Sequence, residues 1–349
     1  MPSRLTGAAW LDRAARNNGV VHRTDDPRLA AQALADAHLA AVPTETVYGL
    51  GARADDPHAV ARVYAAKGRP ADHPLIVHVR DADAAWQWAT TVPGFARDLA
   101  ARHWPGPLTL VLERSPRAGD FVTGGQDTVA LRVPSHPVFR AVLDELSAIT
   151  GDPAVGVAAP SANRFGRVSP TTAQHVEAEL GALLAAVDVI LDGGGSDVGV
   201  ESTIVDCTGP APVILRPGRV SHDDVVAATG MALGDHSPVR APGTLASHYA
   251  PHARVVIIDA DDASRNHIDP DATTDTDART GLLALEHVPT PPGIVRLAAP
   301  ATVDDYARVL YAALREADAL QLTRVLAVAP PPDGVGAAVA DRLRRAAAS

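Results

Sequence analysis

The chain has one cysteine and one lysine in 349 residues, and each scarcity excludes something. With Cys207 alone no internal disulfide can form, so burial of apolar surface must hold the fold and a reducing compartment is expected. Cys207 lies in STIVDC, a strand-like run, and reads as a small buried residue rather than a nucleophile. No apolar run reaches membrane-spanning length, and charges interrupt the opening MPSRLTGAAWLDRAARNNGV. No membrane span and no signal peptide are expected, hence a cytoplasmic protein. Aromatic residues make up only 4%, and the net charge is -10. Both argue against tight nucleic-acid binding, which draws on Lys and Arg at phosphates and on stacked rings, though a local basic cleft stays open. The signatures CxxC, HExxH and GxSxG are missing, so zinc and serine hydrolases lack their marks. His248 and His252 in SHYAPH have helical ligand spacing, but Pro251 interrupts any helix there, and no metal site is expected.

Lysine's absence elsewhere sharpens one position. Lys and Arg together number 31, so 30 are Arg and one is Lys67. Lys67 is either a relic of a bias toward Arg or a place where a planar guanidinium cannot replace a compact ammonium. Composition does not decide.

What is present describes a folded enzyme-sized chain. Hydrophobic residues at 46% and charged residues at 21% are ordinary for globular proteins, and the length exceeds one usual core. Apolar segments with helical spacing alternate with short apolar runs, which predicts an α/β fold with a twisted, mostly mixed open sheet flanked by helices. The expected helices are 26–37, 57–67, 81–89, 94–103, 136–146, 172–186 and 221–229. The expected strands are HLAAVP, LIVHV, LTLVL, TVALRVP, VGVAAP, VDVILD and the hairpin-like pair STIVDC and PVILRPG. PTETVYGLG reads as a loop. Residues 230–253 show no periodicity and many Gly, Pro and His, so they read as a linker between a first domain at 1–229 and a second at 254–349. The second opens on RVVIID, passes an acidic apolar-poor loop, and continues with GLLAL, GIVRL, a helix at 303–319, RVLAVAP and a C-terminal helix. A small three-layer α/β unit is expected there.

Four segments join permissive backbone to polar groups at strand ends, where open α/β sheets take ligands. PTETVYGLG offers Thr44, Glu45, Thr46 and Tyr48, or else a capped turn. KGRPADHPLIVH holds Lys67 and Arg69 together on a bend, a pair that costs repulsion unless an anion such as a triphosphate lies between them. His78 follows it, in a position where a lone histidine is ordinarily a satisfied core residue. TVALRVP places Arg132 inside an apolar strand, where it must meet a carboxylate or phosphate. APSANRFGRVSPT brings Ser161, Asn163, Ser169 and Thr171. DGGGSDVGVESTIVD resembles a phosphate-cradling loop, but no GKS or GKT follows, so it is not a P-loop. Arg216 projects from the apolar run ILRPG.

In order, PTETVYGLG, KGRP with PLIVH, WPGPLTLVL, LRVP, APSAN with SPT, ESTIVD, ILRPG and HYAP resemble the YrdC/Sua family of L-threonylcarbamoyladenylate synthases in its long two-domain form. The resemblance runs from about Asp26 to the end and includes RVVIID, GLLAL and PPDGVGAAVADRL. It implies a YrdC-like first domain and a smaller Rossmann-like three-layer second domain. It also implies synthesis of threonylcarbamoyl-AMP and pyrophosphate from L-threonine, bicarbonate and ATP, with Mg²⁺ accompanying ATP as a nucleotidyltransferase substrate. A downstream tRNA threonylcarbamoyl-transferase complex would then modify tRNA next to the anticodon. By motif position Lys67, Arg69, Ser161 and Asn163 would be catalytic and ATP-binding. His73, Thr128, Ser169, Arg216, His248 and Tyr249 would bind ATP, with His at 73 where Asn is common and HYAP as a segment closing over the nucleotide. Thr46, His78, Arg132, Ala159 and Ser202 would bind L-threonine. Two readings compete: a noncatalytic tRNA or ribosome binding module, which acidity and few aromatics disfavour, and an adenylating enzyme for another amino acid.

Overall fold

The computed structural model describes residues 21–244, 248–260 and 279–348. In chain order they form β1 (His22–Thr24), α1 (Pro27–Ala35), β2 (Ala40–Val42), β3 (Gly49–Arg53), α2 (Pro57–Lys67), β4 (Ile76–His78), α3 (Ala82–Trp86), α4 (Gly94–His103), β5 (Leu108–Glu113), α5 (Asp120–Thr123), β6 (Thr128–Arg132), α6 (Pro137–Thr150), β7 (Val157–Ala158), α7 (Ala173–Leu180), β8 (Val189–Leu191), β9 (Thr203–Asp206), β10 (Val213–Arg216) and α8 (His222–Thr229). Then follow β11 (Arg254–Ile258), β12 (Thr280–Leu283), β13 (Val295–Ala298), α9 (Val303–Ala319), β14 (Arg324–Val328) and α10 (Gly336–Ala347).

The first ten strands make one mixed sheet in the order β1-β8-β2-β3-β7-β4-β6-β5-β9-β10. Strands β2, β4, β7, β8 and β9 are buried along their whole length, which is why they read as apolar runs without alternation. Two antiparallel pairs, β2 with β3 and β9 with β10, are joined by connections too short for a crossover. Helices start at side-chain caps: Asp26, Asp56, Asp81, Thr172, Ser221 and Thr302 each accept a hydrogen bond from a first-turn amide. Helix α2 stops at Gly68, whose φ of 62° only glycine adopts without strain, so Lys67 is delivered as the last helical residue.

Several expected elements differ from those observed. The last three residues of PTETVYGLG open strand β3 rather than belonging to a loop, because its glycines let the backbone pass close to a neighbour: a Cβ on Gly51 would lie 2.8 Å from Val157 Cγ1. Strand β1 and the single turn α5 carry too few apolar residues to show a period. The helix expected over 172–186 ends at Leu180 before Gly181, and the helix from 136 runs on to Thr150.

The remaining strands form a fully parallel sheet in the order β11-β14-β12-β13. Both α9 and α10 cover the face bearing Val255, Leu283, Val325 and Ala327. The opposite face, with Leu282, Ala284, Leu326 and Val328, packs against Val288 and Ile294. Val288 and Ile294 belong to the segment between β12 and β13. The acidic stretch expected to be a solvated loop falls mostly at 261–278, outside the described residues.

The two sheets share apolar contacts. Val47, Val168 and Val200 belong to the same buried cluster as Tyr306, Leu310 and Tyr311 of α9. Gly199, at φ 79°, lies so close to this helix that a Cβ would meet Ala307 O at 2.4 Å. This glycine of the DGGGSDVG segment therefore serves docking between sheets. Residues 230–244 and 248–253 carry no helix or strand, and Ala250 donates its amide to Gly166 O at 3.0 Å.

One buried carboxylate organises the far edge of the first sheet. Asp188 Oδ1 accepts from the Leu39 amide at 2.9 Å, Oδ2 accepts from the Ala185 amide at 2.7 Å, and Arg62 Nη2 donates to both at 2.8 Å. Replacing it strands the buried Leu39 amide, frees that of exposed Ala185 and removes the ion-pair partner of Arg62, so Asp188→Ala should cost about 2–4 kcal/mol, read as a lower denaturation midpoint at unchanged slope. A shift equivalent to under about 0.5 kcal/mol would remove this role.

Candidate active site

Strand ends and loops of the first sheet converge on one pocket, roofed by the linker. Its walls include Thr46, Arg69, His78, Arg132, Ala159, Ser161, Glu201 and Arg216, with Pro242, Gly243, His248 and Tyr249 from the linker. Three guanidinium groups thus share one enclosed space. Burial drives the cost of each, and Arg69 is pushed down to about 10 by that burial, with Arg216 adding to the repulsion and two tyrosines opposing it.

Each arginine is held by backbone or by a carboxylate. Arg132 Nη1 donates to Thr46 Oγ1 at 3.0 Å and Nε to Gly106 O at 3.3 Å. Its Nη2 lies 2.7 Å from Glu45 Oε1 as an ion pair whose angle does not make a hydrogen bond. Arg216 donates from Nε and Nη2 to Ser202 O, and from Nη1 to Pro242 O at 3.0 Å, which ties it to the linker. Arg69 Nη2 donates to Pro74 O at 3.0 Å, its Nε is buried without a partner, and its guanidinium lies 5.8 Å from the centroid of the Phe165 ring.

Lys67 does not line this pocket. Its ammonium donates to the carbonyls of Ser161 and Asn163, and it borders a second groove between the sheets with Arg164, Phe165, Arg167 and Arg315. Burial and the charge of Arg69 push its pKa well down, while Glu179 opposes them. The two carbonyl acceptors also favour the protonated ammonium.

The other expected residues sort by distance from the pocket. Ser202 Oγ accepts from Arg216 and pairs with Thr109 Oγ1 at 2.8 Å, just behind the wall. Ser169 Oγ donates to Glu201 at 2.7 Å. Asn163 donates through Nδ2 to Arg164 O and Arg167 O, leaving Oδ1 buried without a partner. His73 packs edge-on against Phe165 at 5.3 Å. The Ala159 amide is spent on Ile76 O at 3.1 Å. Thr128 stands apart: it opens β6 opposite Glu113, four residues or roughly 13 Å of strand from Arg132, and no wall of the pocket includes it.

The two histidines of the pocket are neutral. His78 is held down to about 3 by burial and by Arg132, and His248 to about 3 by burial and by Lys67, Arg69 and Arg216 against Glu201. Each has a buried Nδ1 without a partner. Among the described residues no group of three or more His, Cys, Asp or Glu could hold a metal ion, and no helix is long and apolar enough to cross a membrane.

Residues 32–218 match the family model Sua5_yciO_yrdC, described as telomere recombination, and residues 213–348 match Sua5_C, described as the threonylcarbamoyl-AMP synthase C-terminal domain. The chain belongs to the Sua5/YrdC family. It is 37% identical to a threonylcarbamoyl-AMP synthase of Bacillus subtilis over 93% of this chain and 94% of that protein. It is 38% identical to one of Pyrococcus abyssi, with 91% and 93% covered. The solved structure of P. abyssi Sua5 complexed with L-threonine superimposes with a TM-score of 0.81 at 37% identity, covering 94% of this chain and 97% of that one.

For this Sua5/YrdC member, sequence reasoning named Glu45 among the polar groups of its loop without assigning it a partner, and it did not single out Glu201. Glu45 answers the demand that Arg132 meet an anion, and its place between Thr44 and Thr46 after a buried strand was the available signal. Glu201 accepts from Ser169 through Oε1 and from Tyr311 and Arg342 through Oε2. Arg342, on α10, is 1% exposed and far away in sequence, so no local pattern announces it.

Burial alone would raise the Glu201 pKa, but Arg342 first, then Arg216, with hydrogen bonds from Arg342 and Ser169, hold it down to about 2. The folded value lies below the ordinary one. The stabilisation is therefore complete above about pH 4.5 and is lost as pH falls toward about 2. Denaturant unfolding of wild type and Glu201→Gln at pH 6 and pH 3 should show wild type the more stable at pH 6 and the gap narrowing at pH 3. A gap that widens in acid would contradict this charge state.

Proposed function

We propose that the chain is an L-threonylcarbamoyladenylate synthase, a cytoplasmic nucleotidyltransferase supplying an activated threonylcarbamoyl group for tRNA modification by a downstream transferase complex. The observation that carries this reading is the convergence of Arg69, Arg132 and Arg216 with small hydroxyls in one enclosed pocket. Relatives that match the chain nearly end to end, named threonylcarbamoyl-AMP synthases, support it.

In this reading threonine's amine captures bicarbonate as a carbamate with loss of water. A carbamate oxygen then attacks the α-phosphorus of ATP, a new P–O bond forms, and pyrophosphate leaves with the electron pair of the broken bond. All reacting partners are anionic. The protein's task is to gather and align negative charge, and no covalent protein nucleophile is needed. Arg132, with Thr46, His78, the Ala159 backbone and Ser202, is assigned to threonine. Arg69, Arg216, Ser161, His248 and Tyr249 are assigned to the nucleotide, with His73, Asn163 and Ser169 behind them and Thr128 the most remote of the set. Lys67 acts by shaping the Ser161–Asn163 turn as well as by its charge. Glu45 and Glu201 are committed to arginines, so Mg²⁺ would arrive on the phosphates of ATP rather than in a protein cage.

Pyrophosphate release from ATP should require both threonine and bicarbonate, and release that ignores both would refute the reading. Serine in place of threonine should support much slower release. Lys67→Ala should lower threonine-dependent release at least about 100-fold while circular dichroism still reports a folded chain. Full activity in that variant would remove Lys67 from the machinery. Cutting the chain after about residue 225 should abolish release as well.

A further inference from the structure

The pocket holds one carboxylate whose presence is awkward for a site that takes polyanions. Glu201 lines the wall, 6% exposed, beside Arg216. An unpaired carboxylate there would repel a triphosphate by several kT in so dry a space. The first sheet's side supplies a hydrogen bond from Ser169 and the nearby charge of Arg216, but the direct ion pair comes from elsewhere. Arg342 Nε donates to Glu201 Oε2 at 2.8 Å, and Tyr311 OH donates to the same oxygen at 2.7 Å. Both belong to the second sheet's helices, α10 and α9. Arg342 is fixed further by Nη2 on Pro217 O at 3.0 Å, by Nη1 on Asp341 Oδ2 at 2.7 Å, and by stacking 5.3 Å from the centroid of the Tyr249 ring. It thus touches the residue after Arg216, the partner of Ser169 and the linker at once.

We propose that Arg342 is a positioning residue for the nucleotide: it crosses from the second domain to neutralise Glu201, so that the pocket accepts polyphosphate and keeps Ser169 and Arg216 in place. The second domain then completes the charge balance of a site whose other walls lie in the first domain and linker. This inference rests on ATP being the substrate, as proposed above.

The test uses the full chain and measures binding of the non-hydrolysable α,β-methylene analogue of ATP by calorimetry, beside the KM values for ATP and threonine. Arg342→Met keeps the volume and removes the charge. It should weaken nucleotide binding and raise the KM for ATP about tenfold or more, with the KM for threonine within about twofold. Arg342→Lys should recover most of the nucleotide affinity. In Arg342→Met combined with Glu201→Gln, affinity should return to within about threefold of Glu201→Gln alone, because the carboxylate that needed pairing is gone.

Unchanged nucleotide affinity in Arg342→Met overturns the proposal. So does an equal loss for threonine, which would report a general disturbance of the fold. If Arg342→Met does not fold, the double variant against Glu201→Gln decides: equal affinity supports the proposal and a tenfold gap overturns it. A wild-type chain that binds no nucleotide overturns both this inference and the functional reading. Binding by wild type with no effect of Arg342→Met overturns this one alone.

Discussion

The packing of like charge is the constraint on which the rest of this structure depends. Arg69, Arg132, Arg216 and Lys67 are all buried within one region, where each loses hydration and each repels the others. Such a cluster persists only if every group is fixed by acceptors that do not occupy its face toward the ligand. The structure answers with backbone carbonyls. Pro74, Gly106, Ser161, Asn163, Ser202 and Pro242 each turn an oxygen onto one of these cations. Carbonyls orient a charge without cancelling it, so the pocket stays positive for an incoming anion.

Carboxylates appear where a carbonyl would not suffice. Glu45 stands beside Arg132 and Glu201 beside Arg216 and Arg342, and both are buried. Each lowers the self-repulsion of the arginine cluster, at the cost of competing with substrate anions for the same arginines. The competition is limited by position: Glu45 also accepts from the Ser135 amide behind β6, and Glu201 has both oxygens occupied by Ser169, Tyr311 and Arg342. The second sheet therefore reaches the pocket through the fully buried Arg342–Glu201 pair, beside the less buried Arg315–Glu179 pair, in an apolar interface that Gly199 allows to close.

Much of this was legible in the sequence, for physical reasons that differ by element. Buried strands such as β2 and β8 announce themselves because both faces are apolar, and Arg132 and Arg216 stand out because a charge inside such a run must have a purpose. Strand β3 was not legible as a strand, since Gly49 and Gly51 weaken any strand pattern while permitting the close approach that makes it one. The pocket's membership was legible for groups held on local turns, among them Thr46, Arg69 and Ser161. Thr128 was carried by motif position and lies four residues from the nearest wall on β6, because a strand spreads its residues along its length. Arg342 was invisible, since only tertiary packing brings α10 to Glu201, 141 residues away.

Lys67 shows how a composition can point to a geometry. Thirty of the chain's 31 basic residues are Arg, so the exchange of one for the other was available everywhere else. At the end of α2 the ammonium reaches two carbonyls of one tight turn, those of Ser161 and Asn163. A tetrahedral ammonium can aim separate N–H bonds at two oxygens that do not share a plane with it. A planar guanidinium is broader, and its donors are fixed in one plane. Placed here, it would either push the turn away, and with it the wall that Ser161 contributes, or leave a carbonyl without a donor. The demand for a small, three-donor cation is local and steric, and it would hold whatever anion the pocket receives.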